Sequence, residues 1–474
     1  MNLLNPLNIA IVGIGPHSKR TYLRFFEKYQ IYPKLIIELD SEKESILALI
    51  SEKKWNNTTL LTIPDDYKSF LALPENYQNS LDIICKEKEI THAIIATEPK
   101  GHLMYLDYFL GRNIHTLTDK PLVCFGNMLD IVNIEKMQES FFQLLLKKPE
   151  NAVCKVLCQR NLHKGYEYIR NLIKQTIVEY NIPVTYISIY SCDGNWVMPH
   201  DLDYENHPYK YGYGKIFHSG YHYIDLLMSL LKLNNYSTHE KKIVKAKMFN
   251  SFVTPVDELS VISLSDYKSI FNSEKFPAFY DKQDFNFENY GEKDIFSQIE
   301  FTDLNDRIIT IANLNILESG FSRRGWLHTK EDRYKGNGRV RHESITIQLG
   351  PLMNIQVHSY QSKEIKDRSD NEFDFGGLDH FDIDVYRNTD IIGGKPFERI
   401  RTTDFCDFSK EKYFKGLNEM GREDAIKSFF TLKKDENDLE NQMNSMQILY
   451  QCCLSYYYYK NSKDRIREFI FDLK

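Results

Sequence analysis

Short apolar runs alternate with amphipathic stretches along the first third of the chain. The apolar runs contain few polar residues, and this continuous hydrophobicity is typical of strands in a sheet covered on both faces. The stretches between them have apolar residues at helical spacing. This alternation predicts a parallel sheet with crossover helices. The predicted strands are 9–12, 34–38, 93–96, 113–117 and 153–157, and the predicted helices are 20–29, 43–52, 103–110 and 128–146.

The pattern changes after about residue 158. A helix is predicted at 166–180, a strand at 184–190 and a second helix at 218–231, and the chain then becomes mostly strand-like. The later predicted strands are 243–249, 259–264, 299–301, 308–317, 340–349 and 354–360, followed by a helix at 439–459. We therefore predict an α/β domain over residues 1–158 and an α+β domain with a large, mainly antiparallel open sheet over 159–474. Extra loops are expected around 265–295, 320–340 and 360–430.

Composition narrows the possible classes. The chain has 474 residues, 42% hydrophobic and 27% charged, which is the usage of a folded globular protein. A net charge of −6 and a pI near 6.2 argue against nucleic-acid binding. No apolar run reaches the ~18 residues that cross a bilayer, and no secretory leader is recognised. We expect a soluble, cytoplasmic protein without a membrane partner, whose eight cysteines are reduced thiols and not zinc ligands.

The first predicted strand runs directly into a glycine turn, Gly13-Ile-Gly15-Pro-His-Ser18, and a helix follows. One glycine permits the tight turn, and the second lets the backbone approach a diphosphate. The N–H groups at the start of the helix favour such an anion. The third position holds Ser18 instead of glycine, and a small residue still allows the helix to pack on the strand. This position, between a strand and a helix, indicates a Rossmann dinucleotide-binding domain.

An acidic residue follows the second predicted strand at the expected place. Glu38 lies 25 residues after Gly13, close to the ~20 expected for the carboxylate that binds the adenosine ribose. Such a carboxylate repels a 2′-phosphate, so we favour NAD; Asp40 is the alternative acid. NADP stays open, because Lys43 or Arg20 can hold a phosphate. The competing interpretation is a plain strand–helix connection with Glu38 as a surface acid.

Three further motifs follow in order. They are Ala96-Thr97-x-Pro99-x-x-His102, Asp119-Lys120-Pro121 and Gly220-x-His222-x-x-Asp225. Together with the segment Gln159–His163, they resemble the ATPNxxH, EKP and GxHxxD motifs and the arginine-containing segment of the Gfo/Idh/MocA oxidoreductases. That family is named for glucose-fructose oxidoreductase, inositol dehydrogenase and a rhizopine-catabolism protein. The resemblance covers about residues 8–233, and the later β-rich half agrees in character only.

The resemblance implies an NAD(P)-dependent dehydrogenase or reductase. Its substrate would be a hydroxylated small molecule, such as a sugar, cyclitol or related biosynthetic intermediate, and its second domain would form a homo-oligomer, a dimer or tetramer, through the open sheet. The glycine turn and the resemblance together assign the site residues. Cofactor contacts are expected from Gly13, Ile14, Gly15, Pro16, His17, Ser18, Glu38, Thr97, Pro99, His102, Asp119 and Pro121; substrate contacts from Lys120, Arg160, His218, His222 and Asp225; catalysis from Lys120, His222 and His218.

The residue chemistry is compatible with these roles. A neutral His222, or a Lys120 whose pKa falls on burial, can accept the hydroxyl proton while hydride leaves. Helical spacing places His218, His222 and Asp225 on one face. His218 stands where many dehydrogenating members of the family carry aspartate, and imidazole supplies no negative charge near pH 7. These three residues are also a conceivable metal site, but we predict none, because nicotinamide chemistry of this type needs no metal.

Other interpretations stay open. Lys120 can be a surface lysine before a proline turn, His222 a hydrogen-bonded histidine without a catalytic role, and Asp225 a structural residue. The tyrosine-rich segment 204–213 fits either a substrate-facing loop or aromatic packing. The departure at His218 and the long insertions also fit a dinucleotide-binding regulator or scaffold without turnover. Reduction of an imine or enal-type bond is a further alternative within enzymes.

Overall fold

The computed structural model describes residues 7–194, 196–197, 199, 202, 209–270, 286–322, 340–362, 373 and 379–473. The chain divides into two compact units. The first comprises residues up to Gly126, Val132–His163 and Glu411–Gln447, and the second comprises Asn127–Ile131, Lys164–Lys410 and Ile448 onward. The predicted boundary at residue 158 assigns all later residues to the second domain. Residues 411–447 nevertheless belong to the first unit, which was not predicted.

A parallel six-stranded sheet forms the centre of the first unit. Its strands are β1 (Ile9–Val12), β2 (Leu35–Leu39), β3 (Thr59–Ile63), β4 (His92–Ile95), β5 (His115–Thr118) and β6 (Cys154–Val156), in the order β3-β2-β1-β4-β5-β6. This order is that of Rossmann sheets, in which the strand order reverses between β1 and β4. The strands predicted from continuous hydrophobicity are confirmed, and β3 is an addition that the sequence analysis did not identify.

Helices join these strands. Pro16 starts α1 (Pro16–Ser18), which continues through a π-helical turn (Lys19–Leu23) into α2 (Arg24–Tyr29), so this helical segment begins earlier than predicted. The others are α3 (Lys43–Glu52), α4 (Glu75–Glu87), α5 (Pro99–Leu110) and α6 (Ile131–Lys147). The core packs Ile11, Phe25 and Phe26 with Phe414 and Phe429. The last two residues belong to the 411–447 segment, which therefore completes this core.

The second unit is built on a nine-stranded sheet. The order β14-β13-β12-β11-β7-β10-β9-β8-β15 is antiparallel except where β7 and β10 pair in parallel. This confirms the predicted large, mainly antiparallel sheet. Its strands are β7 (Tyr186–Cys192), β8 (Lys245–Val253), β9 (Asp294–Thr302), β10 (Ile308–Leu317), β11 (Val340–Leu349), β12 (Met353–Ser362), β13 (Asp379–Arg387), β14 (Phe397–Ile400) and β15 (Ile466–Ile470).

Two long helices, which carry Gly165 and Tyr456, pack on one face of this sheet. Gly165, in α7, faces the ring of Phe381 on β13, and Tyr456 of the C-terminal helix contacts Phe252 on β8. The helices are α7 (Lys164–Tyr180), a π-helical turn (Ile216–Gly220) leading into α8 (Tyr221–Leu231), α9 (Pro255–Val261), α10 (Leu264–Ile270), α11 (Thr389–Ile392), α12 (Thr402–Phe405), α13 (Leu417–Phe430) and α14 (Met443–Ser462). Of these, α13 and the first residues of α14 lie in the first unit.

One predicted strand is wrong. Residues 259–264 form a short, mainly apolar run, which predicts a strand, but residues 255–261 form α9. A capping box explains the difference: the Thr254 hydroxyl accepts the Asp257 N–H at 3.2 Å, and the Asp257 carboxylate accepts the Thr254 N–H at 2.8 Å. With Pro255 at the first helical position, these bonds start a helix that outweighs the strand signal of the apolar run.

Parts of the expected loops are regular structure. The predicted loop 360–430 contains β13, β14 and α13, while much of 265–295 and 320–340 lies outside the described residues. Within the described ranges, no helix is both long and apolar enough to cross a membrane.

Candidate functional site

The turn after β1 brings two glycines to the carboxyl edge of the parallel sheet. Gly13 has φ +84°, and a Cβ there would lie 2.8 Å from the carbonyl oxygen of Ala96, directly after β4. At Gly15, φ is −73° and a Cβ would meet no heavy atom within 4 Å. The close approach of β4 therefore requires the first glycine, whereas the second borders open space at the start of α1.

The remaining residues of this turn divide between the interior and the surface. Ser18 is completely buried and Ile14 nearly so, whereas Pro16 is exposed and His17 half-buried. A buried small residue at position 18 is what close packing of helix on strand requires. The Ile14 side chain is therefore not available to a ligand, whereas Gly15, Pro16 and His17 are at least partly exposed.

Glu38 at the end of β2 is bound to the glycine turn. One carboxylate oxygen accepts the N–H of Ile14, and the other accepts the N–H of Leu39 at 2.9 Å. Burial raises the pKa of Glu38, and these two N–H groups offset part of that rise. The carboxylate therefore lies beside the turn, where the sequence analysis placed the acid for a ribose, while the alternative acid Asp40 is exposed.

Asp119 links the end of β5 to the helical segment after the turn. Its Oδ1 accepts the Tyr22 hydroxyl at 2.7 Å and lies 3.4 Å from Nε2 of His17. Burial opposes ionisation of Asp119, but the attraction of His17 and the two hydrogen bonds outweigh it, so the pKa of Asp119 is lowered. This carboxylate is therefore fixed and charged at neutral pH.

Lys120 and Pro121 follow Asp119 in a turn that contains a cis Lys120–Pro121 peptide bond. Lys120 is half-buried and Pro121 is buried. Across the sheet edge, Thr97 follows β4, and Pro99 begins α5. His102 of α5 is completely buried, with Nδ1 2.7 Å from the Pro121 carbonyl oxygen and Nε2 3.0 Å from that of Thr97. The first unit thus gathers Glu38, Thr97, Asp119 and Lys120 at the carboxyl ends of β2, β4 and β5.

Arg160 follows β6 in the first unit. It belongs to a short helical turn at Gln159–Leu162 and is 2% exposed. A Cβ at Gly421 of α13 would lie 2.6 Å from the carbonyl oxygen of the neighbouring Gln159. Its predicted role as a substrate contact stays a prediction, and its burial means that only a small part of the side chain reaches the surface of the unit.

The second unit carries the predicted histidines in one helical segment. His218 lies in the π-helical turn, with its ring 4.6 Å from that of Tyr209, and His222 lies in the first turn of α8. Asp225 is buried at 3% exposure, whereas both histidines are half-buried. The wider π-helical turn changes the regular spacing expected between residues 218 and 222, and such turns are frequent at functional sites. Gly220 packs against Ile316 of β10, the close neighbour expected for a glycine here.

Buried charges that sequence reasoning missed anchor the start of this segment. Lys215 has no exposed surface, and its ammonium donates to Asp193 and, at 2.7 Å, to Glu318. Asp193 and Glu318 directly follow the paired ends of β7 and β10. Asp193 also accepts the Ser219 hydroxyl at 3.0 Å and lies 3.3 Å from Nε of Arg341. Burial lowers the pKa of Lys215, but the two carboxylates outweigh it and raise the pKa overall.

Glu292 caps the N-terminal end of the same helical segment. Its Oε1 accepts the Ile216 N–H at 2.9 Å, and its backbone oxygen accepts the Lys215 N–H at 2.8 Å. A Cβ at Gly214 would collide with this carboxylate, so a glycine is needed there. Burial raises the pKa of Glu292 to about 7. The only sequence signal for this group of residues was the pair of glycines at 212 and 214 before the histidines.

The tyrosine-rich segment is described only in part. Tyr204–Pro208 of the tyrosine-rich loop lie outside the described residues, whereas Tyr209 and Tyr213 are buried. In the described part of the chain, no group of three or more His, Cys, Asp or Glu is arranged to hold a metal ion.

Comparison with solved structures identifies the fold. An oxidoreductase from Agrobacterium radiobacter, solved in complex with NAD+, L-tartaric acid and magnesium, matches with TM-score 0.54 and 8% identity over 99% of both chains. The dehydrogenase MviM from Clostridium difficile matches with TM-score 0.51 and 12% identity over 95% of this chain and 100% of its own. Apo scyllo-inositol dehydrogenase from Lactobacillus casei matches with TM-score 0.50 and 13% identity over 98% of both chains.

Searches by sequence add no closer relative. No protein-family model matches the chain, and no curated protein matches it. At these low identities the likeness shows a shared two-domain fold, which extends over almost the whole length of this chain and of the three solved structures.

Proposed function

We propose that the chain is an NAD(P)-dependent oxidoreductase of the Gfo/Idh/MocA type. The observation that carries this proposal is the carboxyl edge of the six-stranded sheet, where the strand order reverses between β1 and β4. Ligands of open α/β sheets bind at such a point. Here the edge presents open space beside Gly15, the start of a helical segment and a carboxylate held against the glycine turn.

The described residues fit a dinucleotide. A Cβ at Gly15 would meet no heavy atom of the described residues within 4 Å, which leaves room for a diphosphate against the backbone. Glu38 would accept ribose hydroxyls, and its charge would disfavour a 2′-phosphate, so we propose NAD as the preferred cofactor. Thr97, Pro99, Asp119 and the backbone of the turn would complete the contacts.

The bound nicotinamide would supply hydride transfer. The chain's own residues would then handle the proton that accompanies the hydride. We propose Lys120 of the first unit and His222 of the second for this role, because each combines partial exposure with a titratable nitrogen. In alcohol oxidation they would accept the hydroxyl proton, and in carbonyl reduction they would donate one.

His218, Asp225 and Arg160 are proposed as auxiliary substrate residues. His218 offers a hydrogen-bonding imidazole beside Tyr209. Asp225 is nearly buried one turn after His222, so it is better suited to orienting the helix than to carrying protons. The proposed substrate is a hydroxylated small molecule, such as a sugar, cyclitol or related biosynthetic intermediate.

We also propose that the protein is cytoplasmic and forms a homo-oligomer through the face of the nine-stranded sheet opposite α7 and α8. On this face lie Phe249 of β8 and Phe296 of the neighbouring strand β9, which are 47% and 36% exposed. Sedimentation analysis of the full chain tests the oligomer: a dimer or tetramer is expected, and a monomer at all concentrations would contradict it.

Titration with four dinucleotides tests the function itself. Fluorescence of NADH and NADPH, and thermal shifts with NAD+ and NADP+, should report binding, with NADH tighter than NADPH. A response to none of the four would contradict the proposal. If binding occurs, Lys120→Ala and His222→Ala should each lower turnover on a polyol panel by about a hundredfold or more, the usual contribution of a proton-transfer group.

A further inference from the structure

His102 is a buried imidazole that contacts two separate turns of the first unit. It lies in the first part of α5 with no exposed surface. Its Nδ1 is 2.7 Å from the carbonyl oxygen of Pro121, and its Nε2 is 3.0 Å from the carbonyl oxygen of Thr97. Because a completely buried ring cannot contact a ligand at the sheet edge, a direct contact between His102 and the cofactor does not fit this geometry.

We infer that His102 is a positioning residue that fixes the Thr97 turn through Nε2 and the Lys120 turn through Nδ1. The inference rests on the proposed function, since it assigns His102 an indirect effect on both the cofactor side and the proton-transfer side of that site. The two effects are carried by different nitrogen atoms, and they are therefore separable.

The backbone on either side of Lys120 is held independently. On the N-terminal side, the Asp119 N–H donates to the Ile95 carbonyl at 3.1 Å, and the Asp119 carboxylate accepts the Tyr22 hydroxyl. On the C-terminal side, the Pro121 carbonyl is held by His102. Loss of the Nδ1 contact would release one of these two anchors, so the direction in which Lys120 projects would become less defined.

The protonation of the ring fits a bridging role. Both partners are carbonyl oxygens, which only accept, so each nitrogen acts in full only as a donor. Burial lowers the pKa of His102, while the two carbonyls and the charge of Asp119 act in the opposite direction. The neutral ring carries one proton, so it donates to the Pro121 carbonyl in one tautomer and to the Thr97 carbonyl in the other, and each turn is held through its own nitrogen for part of the time.

Two substitutions separate the nitrogens. The amide nitrogen of asparagine lies near the position of Nδ1, and that of glutamine lies near the position of Nε2. His102→Asn should therefore keep the bond to Pro121 and lose the bond to Thr97, and His102→Gln should do the reverse. His92→Gln is the matched control, because His92 is another buried histidine of the first unit, packed against His115, Phe429 and Phe430.

Two measurements detect changes in the two turns, and neither requires a known substrate. The dissociation constant for NADH reports the Thr97 turn, and the rate of acylation of Lys120, followed by mass spectrometry, reports the Lys120 turn. Removal of one buried hydrogen bond should change the NADH dissociation constant or the Lys120 acylation rate, whichever reports that turn, by about fivefold to tenfold. We expect His102→Asn to weaken NADH binding and leave Lys120 labelling unchanged, and His102→Gln to accelerate Lys120 labelling and leave NADH binding unchanged.

The outcomes distinguish the inference from the function. If both variants match the wild type, or if both change the two readings in parallel as His92→Gln does, the inference is overturned. If the wild type itself binds neither NADH nor NADPH, the proposed function fails. The Lys120 labelling of the two variants still decides whether His102 fixes that turn.

Discussion

The two units hold a helical segment after a strand end in different ways. In the first unit, the segment after β1 is placed by backbone geometry: Gly13 permits contact with Ala96, and one carboxylate, Glu38, accepts the N–H of the turn. In the second unit, the segment that carries His218 and His222 is placed by buried charges, with Lys215 between two carboxylates and Glu292 as a cap. Both segments contain a π-helical turn.

The two arrangements should tolerate different kinds of substitution. The glycine turn depends on a close backbone contact, whereas the charge cluster depends on opposite charges that are buried together. We therefore expect the first arrangement to be sensitive to added atoms and the second to removed charges.

The largest effect should come from breaking the buried charge cluster. Lys215→Met removes the cation between Asp193 and Glu318, so two carboxylates stay buried with less compensation. Loss of one partner of a buried pair costs about 3–5 kcal/mol of unfolding free energy. Urea denaturation of both proteins measures this loss.

Lys245→Met provides the matched control. Lys245 pairs with Asp306 at 2.7 Å on the surface of the same unit, and loss of an exposed pair costs about 1 kcal/mol or less. Equal losses for the two variants would contradict the contrast between a buried and an exposed pair.

An added methyl group at the glycine turn should have the next largest effect. Gly13→Ala places a Cβ 2.8 Å from the Ala96 carbonyl in a backbone conformation with positive φ. We expect a loss of about 2–3 kcal/mol in unfolding free energy, combining strain and close contact. Gly126→Ala, where a Cβ meets nothing within 4 Å, should change stability by about 0.5 kcal/mol or less.

Glu292 should make stability depend on pH. Its pKa is about 7 in the folded protein, above the ~4.3 of an unfolded glutamate. Between these values the folded state holds the proton and the unfolded state does not, so the stability that Glu292 contributes is present below about pH 4 and is lost as the pH rises toward 7, by at most about 1.4 kcal/mol per pH unit.

Denaturation curves at several pH values test this dependence. Glu292→Gln cannot titrate, so its unfolding free energy should fall less between about pH 5 and pH 7 than that of the wild type. The exposed Glu468→Gln serves as the control and should follow the wild type. Parallel pH curves for the wild type and Glu292→Gln would show that burial does not retain the proton on this carboxyl.

The buried charged groups of the second unit were not predicted from the sequence. Gly13, Gly15 and Lys120 lie in short contiguous motifs, and Glu38 ends the next predicted strand at the expected spacing, so local pattern was sufficient to single them out. Lys215 obtains its role from Asp193 and Glu318, which are 22 and 103 positions away, and no local pattern joins them. The same limit explains why residues 411–447 were assigned to the other domain, since their packing on the first sheet depends on contacts distant in sequence.

Local signals were also misjudged where two of them competed. At residues 259–264 the short apolar run predicted a strand, although Thr254, Pro255 and Asp257 formed a recognisable helix start. Greater weight on the capping residues corrects that prediction.

The smallest effect should concern cofactor choice. Glu38→Gln removes the charge that opposes a 2′-phosphate, so the preference for NADH over NADPH should fall by about tenfold, equivalent to about 1.4 kcal/mol. Asp40→Asn changes the alternative, exposed acid and should shift the ratio by less than about threefold. A larger shift for Asp40→Asn than for Glu38→Gln would reassign the ribose carboxylate.

The most direct test of the central claim compares NADH binding by the wild type and Gly15→Val. Because φ at Gly15 is −73° and a Cβ there meets no neighbour within 4 Å, the variant should fold with an unchanged melting temperature. Its side chain should occupy the space proposed for the diphosphate, so we predict binding that is weaker by about tenfold or more. Equal binding by the two proteins, or no binding by the wild type, would contradict the account.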